Sequence, residues 1–221
     1  MNYLSHYVFN HQVCGLPATP HFALAVALPD LWLRFSRKRR IRWKVVRAAQ
    51  PTEEVDQTLR AGLLNHIEID RRFHVLPLFL QWQARLKAAV NSDGTHPALV
   101  DFLAHISLEL MLDRQLMVAQ PGLVDEFFDL LATCDAQEVA RRVGVLGAVD
   151  TTGLACIIDF FTSRRFLRHY RTHGGLTDAI RMVLIFAEIP PPEDRLLDEL
   201  VVHAADLADP AAVWNALSAG L

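Results

Sequence analysis

Residues 65–74 read NHIEIDRRFH, and in this segment His66, Asp70 and His74 recur every four positions. On an α-helix, four residues advance about 40° around the axis and about 6 Å along it, so the three side chains share one stripe. The apolar residues between them can pack into a core. The spacing therefore predicts an amphipathic helix that presents two imidazoles and one carboxylate in the same direction.

A second segment of the same kind lies further along the chain. Residues 103–113 read LAHISLELMLD, which places His105, Glu109 and Asp113 at the same spacing. The residues around these three are so apolar that we expect this helix to be buried on most sides. An unpaired buried charge costs several kcal/mol, so a buried Glu109 needs a metal ion, a cationic partner or a shifted pKa.

Two helices with facing stripes of this composition predict a divalent metal site. Imidazole and carboxylate together suit zinc, manganese or iron. The predicted ligands are His66, Asp70, His105 and Glu109, with Asp113 as a further candidate. Two alternatives stay open. Either the acids form ordinary pairs with the histidines on the helix surface, or Arg71 or Arg114 neutralises them in a structural polar network.

The rest of the chain is predicted to be helical as well. From Pro51 onward the apolar residues follow a helical period, and no sustained alternation of apolar and polar residues indicates a strand. The predicted helices are residues 20–35, 52–75, 78–90, 97–118, 123–132, 136–146, 152–170, 176–186, 192–207 and 210–217. Connections this short predict a single all-α domain over residues 1–221, folded as one compact multi-helix bundle.

Composition limits the class of protein. With 221 residues, 52% of them hydrophobic and 21% charged, the chain can form a sizeable core. A net charge of −3 argues against a general nucleic-acid binder. The three cysteines are isolated, and we find neither a signal peptide nor an apolar run of the roughly 20 residues that a membrane span needs. We therefore expect a cytoplasmic protein that does not bind membranes.

Two residues nearer the start of the chain are further candidates for the site. His6 lies in a short apolar segment. Asp30 directly follows Pro29, and we expect this pair to place a carboxylate close to a kink or an end of the helix predicted for residues 20–35.

Three segments of the chain resemble bacterial acyl carrier protein phosphodiesterases. They are NYLSH at residues 2–6, LPDL at residues 28–31 and GLLNHIEID at residues 62–70. The similarity continues in the same order through FLRHY at residues 166–170 and the segment 175–182. The resemblance implies an all-helical, HD-domain-like fold and a divalent metal, typically manganese, used to release phosphopantetheine from a carrier-protein serine. It also implies roles for His6, Asp30, His66 and Asp70.

The chain departs from that family's pattern at three positions. His74 stands where the family has a carboxylate, and His105 and Glu109 replace an acidic residue and an Asp–His pair. These changes are compatible with a metal site of the same general kind. What they put in question is the substrate.

Hydrolysis of a phosphodiester at a metal ion needs an open coordination position, a neighbouring base and a positive group for the developing charge. In this interpretation Asp30 or His74 orients the attacking water. Arg71 or Arg72, next to Asp70 in the sequence, stabilises the negative charge of the phosphate.

Clusters of basic residues bear on the partner. One cluster is Arg37, Lys38, Arg39 and Arg40; the other is Arg164, Arg165, Arg168 and Arg171, which the periodicity assigns mostly to one helix. Complementary charge would steer the docking of an acidic carrier protein onto such clusters. The alternative for each cluster alone is an ordinary solvated face.

Two other functions remain as alternatives to hydrolysis. A helical redox enzyme with a metal centre also uses Glu and His on facing helices, but neither stripe contains the Glu-x-x-His spacing of di-iron bundles. A non-catalytic helical module is the second alternative. The sequence contains no Gly-x-Ser-x-Gly element for nucleophilic catalysis and no nucleotide-binding loop.

Overall fold

A computed structural model describes residues 1–36, 41–90, 92 and 94–219. In these ranges the regular secondary structure is helical and no strand forms, which confirms the all-α prediction. The α-helices are α1 (Tyr3–Val8), α2 (Pro20–Phe35), α3 (Trp43–Ala48), α4 (Glu54–Phe73), α5 (Pro77–Ala89), α6 (Pro97–Ala119), α7 (Leu123–Leu131), α8 (Ala136–Gly147), α9 (Leu154–Arg164), α10 (His173–Ala187), α11 (Asp194–Ala205) and α12 (Pro210–Ser218). A π-helical segment (Phe9–Val13) follows α1, and a 3₁₀ helix (Phe166–Arg171) follows α9. Among the described helices, none combines the length and the apolar character required to cross a bilayer.

The sequence predicted the long helices well and missed the short ones. Helix α2 was predicted over residues 20–35 and spans Pro20–Phe35, with the Thr19 hydroxyl capping its first turn. Helices α1 and α3 were not predicted, because six residues complete fewer than two turns and leave too little periodicity to recognise.

The helix predicted over residues 152–170 is wrong in its second half. Helix α9 ends at Arg164 because Arg165 adopts a left-handed conformation, with φ 47° and ψ 40°. The chain then continues as the 3₁₀ helix. The four arginines from Arg164 to Arg171 are therefore not displayed along a single helix.

Helix α4 also ends earlier than predicted. It stops at Phe73, so that His74 lies in the turn that leads to Pro77 at the start of α5. Since Pro77 has no backbone N–H, it tolerates the first position of a helix. His74 consequently leaves the stripe that His66 and Asp70 share on α4.

The described helices fall into two compact units. Unit 1 consists of Met1–Ser5, Arg71–Pro121 and Phe166–Leu221; unit 2 consists of His6–Asp70 and Gly122–Arg165. The prediction of one domain for the whole chain, and its likeness to HD domains, stay predictions.

Unit 1 is organised around α6. Helices α5, α10 and α11 all contact α6, and most positions along its middle are buried, as its apolar sequence predicted. Within this unit, the rings of Phe73 and Phe79 pack with their centroids 4.2 Å apart. Both phenylalanines are almost fully buried.

Unit 2 packs α2 against α7 and α9, and α8 against α3 and α9. Its core includes Phe127, Phe128 and Phe161, whose ring centroids lie 5.2 to 6.3 Å apart. Within the same unit, α4 comes unusually close to α2 at Gly62. A Cβ atom built on Gly62 would lie 2.7 Å from Ala25 Cβ and 2.8 Å from the carbonyl oxygen of Phe22.

Replacing Gly62 tests this close approach. Alanine in the middle of a helix normally stabilises a protein by up to about 1 kcal/mol relative to glycine. Because the new Cβ would overlap α2, we expect Gly62→Ala to lower the free energy of unfolding by about 1–3 kcal/mol instead. Gly174→Ala in α10 is the matched control, since nothing lies within 4 Å of its added Cβ. Urea unfolding of both variants measures the difference, and equal effects would contradict the close packing of α4 on α2.

Candidate metal centre

Six of the predicted site residues form two groups of three, and each group lies within one unit. In unit 2, the His6 group consists of His6, His66 and Asp70. In unit 1, the His74 group consists of His74, His105 and Glu109. Within each group, one ligand atom from every residue lies within 4.8 Å of the others. The sequence predicted one cation shared by the two stripes. The structure groups His66 and Asp70 of the first stripe with His6, and it groups His105 and Glu109 of the second stripe with His74.

In the His6 group, two imidazoles face one carboxylate. His6 Nε2 lies 3.0 Å from Asp70 Oδ1, and His66 Nε2 lies 3.3 Å from Asp70 Oδ2. The two rings stack with centroids 4.2 Å apart and planes 28° apart. Ligand atoms about 2.0–2.2 Å from a tetrahedral metal lie about 3.4 Å from one another. The observed spacings are close to that value.

A backbone carbonyl fixes the orientation of His66. Its Nδ1 lies 2.8 Å from the carbonyl oxygen of Val26 in α2. A carbonyl only accepts hydrogen bonds, so Nδ1 carries the proton and donates it. In the neutral ring the lone pair is then on Nε2, the nitrogen that faces Asp70. Metal-binding histidines are held in the same way, with the second ring nitrogen donating to a carbonyl or carboxylate.

Asp30 lies beside the same ring. Its Oδ1 is 3.7 Å from His66 Nε2, and about a quarter of its side chain is exposed. The sequence placed Asp30 near a kink or end of a helix; it lies inside α2, which continues through Pro29 to Phe35. The structure thus brings together in unit 2 the four residues that the resemblance implied, His6, Asp30, His66 and Asp70.

Burial and neighbouring charges set the protonation states of the His6 group. Burial, assisted by the nearby charge of His66, lowers the pKa of His6 to about 3. Burial alone would raise the pKa of Asp70, but hydrogen bonds with His6 and His66 are among the interactions that hold it well below its usual range. Burial also lowers the pKa of His66, yet Asp30 and then Asp70 outweigh it and raise that pKa. A neutral His6 beside an ionised Asp70 is the combination that metal binding requires.

One polar atom of this group is unsatisfied in the described part of the chain. His6 Nδ1 is buried and makes no hydrogen bond there. The buried Asn10 side chain contacts the backbone of His6 instead, with Nδ2 donating to its carbonyl at 2.8 Å. Two imidazoles and one carboxylate form a donor set that suits zinc, manganese or iron. The residues present therefore fit a divalent cation.

In the His74 group, both imidazoles converge on one carboxylate oxygen. Glu109 Oε1 lies 3.0 Å from His74 Nε2 and 3.3 Å from His105 Nε2. The amino group of Met1 donates to the same oxygen at 2.9 Å. Burial opposes ionisation of Glu109, but the charge of that amino group and hydrogen bonds from the two histidines keep its pKa well below its usual range.

Asp113 lies outside both groups and binds backbone instead. Its carboxylate is fully buried and accepts from Leu4 N at 3.2 Å, Ser5 N at 2.8 Å and Ser5 Oγ at 2.7 Å. These amides belong to the first turn of α1, where N–H groups have no partner within the helix. The carboxylate predicted as a metal ligand thus caps the helix that carries His6. The sequence gives no sign of this contact, because any residue can supply a backbone amide.

The predicted phosphate-binding and docking arginines occupy different places. Arg71 and Arg72 end α4, belong to unit 1 and are in neither group. Arg165 pairs with Asp129 and lies 3.9 Å from Asp125, while Arg171 donates to the carbonyl of Pro121 at 2.6 Å. The cluster of Arg37, Lys38, Arg39 and Arg40 lies outside the described residues. Docking of an acidic partner on either cluster stays a prediction.

The cap formed by Asp113 has a signature in the pH dependence of stability. Burial raises its pKa from 3.8 to about 6, against the hydrogen bonds from Ser5 and Leu4, which lower it. The folded state therefore favours the protonated form of Asp113. The resulting contribution to the free energy of unfolding is fully present below about pH 4 and is lost as the pH rises through 6. We expect the wild type to lose on the order of 3 kcal/mol relative to Asp113→Asn across that window. Urea unfolding of both proteins from pH 4 to 7.5 measures this, and a constant difference would contradict it.

Comparison of the chain with known proteins identifies no relative. No protein-family model, no curated protein and no solved structure matches it. The resemblance to acyl carrier protein phosphodiesterases therefore rests on the segments quoted above.

Proposed function

We propose that the protein is a divalent-metal-dependent phosphodiesterase whose site is the His6 group together with Asp30. The supporting observation is the position of Asp70, 3.0 Å from His6 Nε2 and 3.3 Å from His66 Nε2, with Asp30 Oδ1 3.7 Å from the same nitrogen of His66. These four residues come from three separate segments of the sequence, and they are the ones that the resemblance singles out.

His6, His66 and Asp70 would hold the cation. The spacing of their ligand atoms suits it, burial keeps His6 neutral, and the Val26 carbonyl keeps His66 Nε2 directed at the site. A divalent metal bound there would supply positive charge to the phosphate and lower the pKa of a water molecule. Manganese is the metal that the resemblance suggests, while the same donor set also suits zinc and iron.

Asp30 would act as the general base. Its carboxylate is the most exposed of the four side chains, so water and substrate can reach it. In this role it accepts a proton from the water that attacks phosphorus, while the ester oxygen leaves as the P–O bond breaks. The assignment of Arg71 or Arg72 to the developing charge on the phosphate stays a prediction from the sequence.

The substrate class that we propose is a phosphodiester on an acidic carrier protein, such as the phosphopantetheine link of a holo-carrier protein. This part rests on the resemblance and on the basic clusters. The replacement of family residues at His105 and Glu109 allows a different phosphodiester, so a small generic substrate belongs in the same assay.

A structural polar network is the competing explanation for the His6 group. The distances from Asp70 to the two histidines also suit hydrogen bonds to protonated rings. A network of this kind would stabilise the fold without metal and without turnover. Metal content and hydrolysis distinguish the two explanations.

Two substitutions distinguish the loss of a metal ligand from the loss of the general base. Asp70→Asn removes a charged ligand, so we expect loss of both bound metal and hydrolysis. Asp30→Asn removes only the base, so we expect metal to stay bound and turnover to fall about 10²–10⁴-fold. Asp159→Asn, an exposed carboxylate on α9 of the same unit, is the control and should change neither.

The measurements are elemental analysis of the purified proteins and rates of hydrolysis with Mn²⁺. Bis(p-nitrophenyl) phosphate serves as the generic substrate and holo-acyl carrier protein as the specific one. Undiminished hydrolysis in Asp70→Asn would refute the proposed site. A wild type that stays folded without metal and cleaves neither substrate would favour the polar network.

A further inference from the structure

The His74 group is a second convergence of metal-binding side chains that the proposed function does not use. Two imidazole nitrogens and one carboxylate oxygen meet within unit 1, with Glu109 Oε1 as the common point. The separations of 3.0 and 3.3 Å from that oxygen are again close to the roughly 3.4 Å expected between ligands of one tetrahedral ion.

Local structure explains why these three side chains meet. His105 and Glu109 are four residues apart on α6, so they lie on one face of that helix. His74 comes from the turn after α4, which ends one residue earlier. If α4 continued through His74, this side chain would instead keep the direction of His66 and Asp70.

Buried aromatic rings hold the two imidazoles in place. Phe79 on α5 meets His105 edge to face, with centroids 5.1 Å apart and planes at 90°. The ring of Phe73 lies 5.5 Å from that of His74, and the two imidazoles lie 4.7 Å apart. Since Phe73 and Phe79 are themselves almost fully buried, the two histidines pack against side chains that cannot easily move. Ligands held in advance in this way lose less conformational freedom when they bind an ion.

The site already attracts positive charge. The amino group of Met1 lies 2.9 Å from Glu109 Oε1, where an incoming cation would contact the same oxygen. A divalent cation that also gains two imidazole ligands has more partners there than an ammonium group has. Binding of the ion would therefore displace this contact.

We infer that the His74 group binds a second divalent cation of the zinc class, separate from the ion of the His6 group. Two histidines and one carboxylate are a donor set that zinc uses where three protein ligands leave a fourth position open. The side chains of His74 and His105 are 36% and 29% exposed, whereas that of His6 is fully buried. We therefore expect this ion to exchange with solvent more readily than the ion held by His6.

Counting bound zinc tests the inference directly. The full-length protein is stripped with a chelator, dialysed against Zn²⁺ and analysed for metal per chain. We expect two equivalents in the wild type and one in His74→Gln, the variant least apt to disturb the core because His74 lies in a turn. His203→Gln is the control, since His203 lies in α11 outside both groups, and it should retain two.

Cobalt identifies which group has lost its ion. In a protein loaded with Co²⁺, each bound ion contributes one component to the visible absorption. His74→Gln should remove the component of the ion at the His74 group, and Asp70→Asn should remove that of the ion at the His6 group. The double variant should bind neither ion. Circular dichroism and urea unfolding verify that each variant is folded, and Glu109→Gln provides a second test of the same site if His74→Gln is not.

Equal zinc content in the wild type and in folded His74→Gln would overturn the inference, as would a wild type that binds a single ion removed by Asp70→Asn. The outcome is independent of the proposed function. If the protein hydrolyses no phosphodiester but His74→Gln still loses one of two ions, the second site stands and the phosphodiesterase proposal falls.

Discussion

The candidate chemistry depends on one interaction, in which the largely buried carboxylate of Asp70 faces the Nε2 atoms of two stacked imidazoles. Asp70 cannot remain ionised inside the protein without positive or hydrogen-bonding partners, and His6 and His66 supply them. The same arrangement leaves a neutral imidazole next to a negative oxygen. A proton or a metal ion can satisfy such a pair, so a group that stabilises the fold is also prepared to bind a cation.

Packing around this carboxylate places each partner. Gly62 lets α4 approach α2 so closely that the Val26 carbonyl reaches His66, and α2 also carries Asp30 to the other side of that ring. In unit 1, Asp113 caps the first turn of α1, the helix whose chain continues into His6. A glycine and a backbone carbonyl therefore orient His66, although neither is itself a ligand.

Much of this could be predicted from the sequence, but not all. Periodicity identified the long helices and the two stripes, and the resemblance pointed to His6 and Asp30. Periodicity could not show that α4 ends before His74, because one residue more or less of helix leaves the pattern almost unchanged. Nor could it separate Asp113 from Glu109 on the same stripe, since one carboxylate meets backbone amides and the other meets histidines.

The central claim is that His6, His66 and Asp70 coordinate a divalent cation. Crystals of the full-length protein grown with Mn²⁺ and measured for anomalous scattering test it most directly. The account predicts an anomalous peak about 2.0–2.3 Å from His6, His66 Nε2 and Asp70, with the hydrogen bond from His66 Nδ1 to Val26 intact. Density that lacks this peak at saturating Mn²⁺, with Asp70 still hydrogen-bonded to both imidazoles, would contradict it.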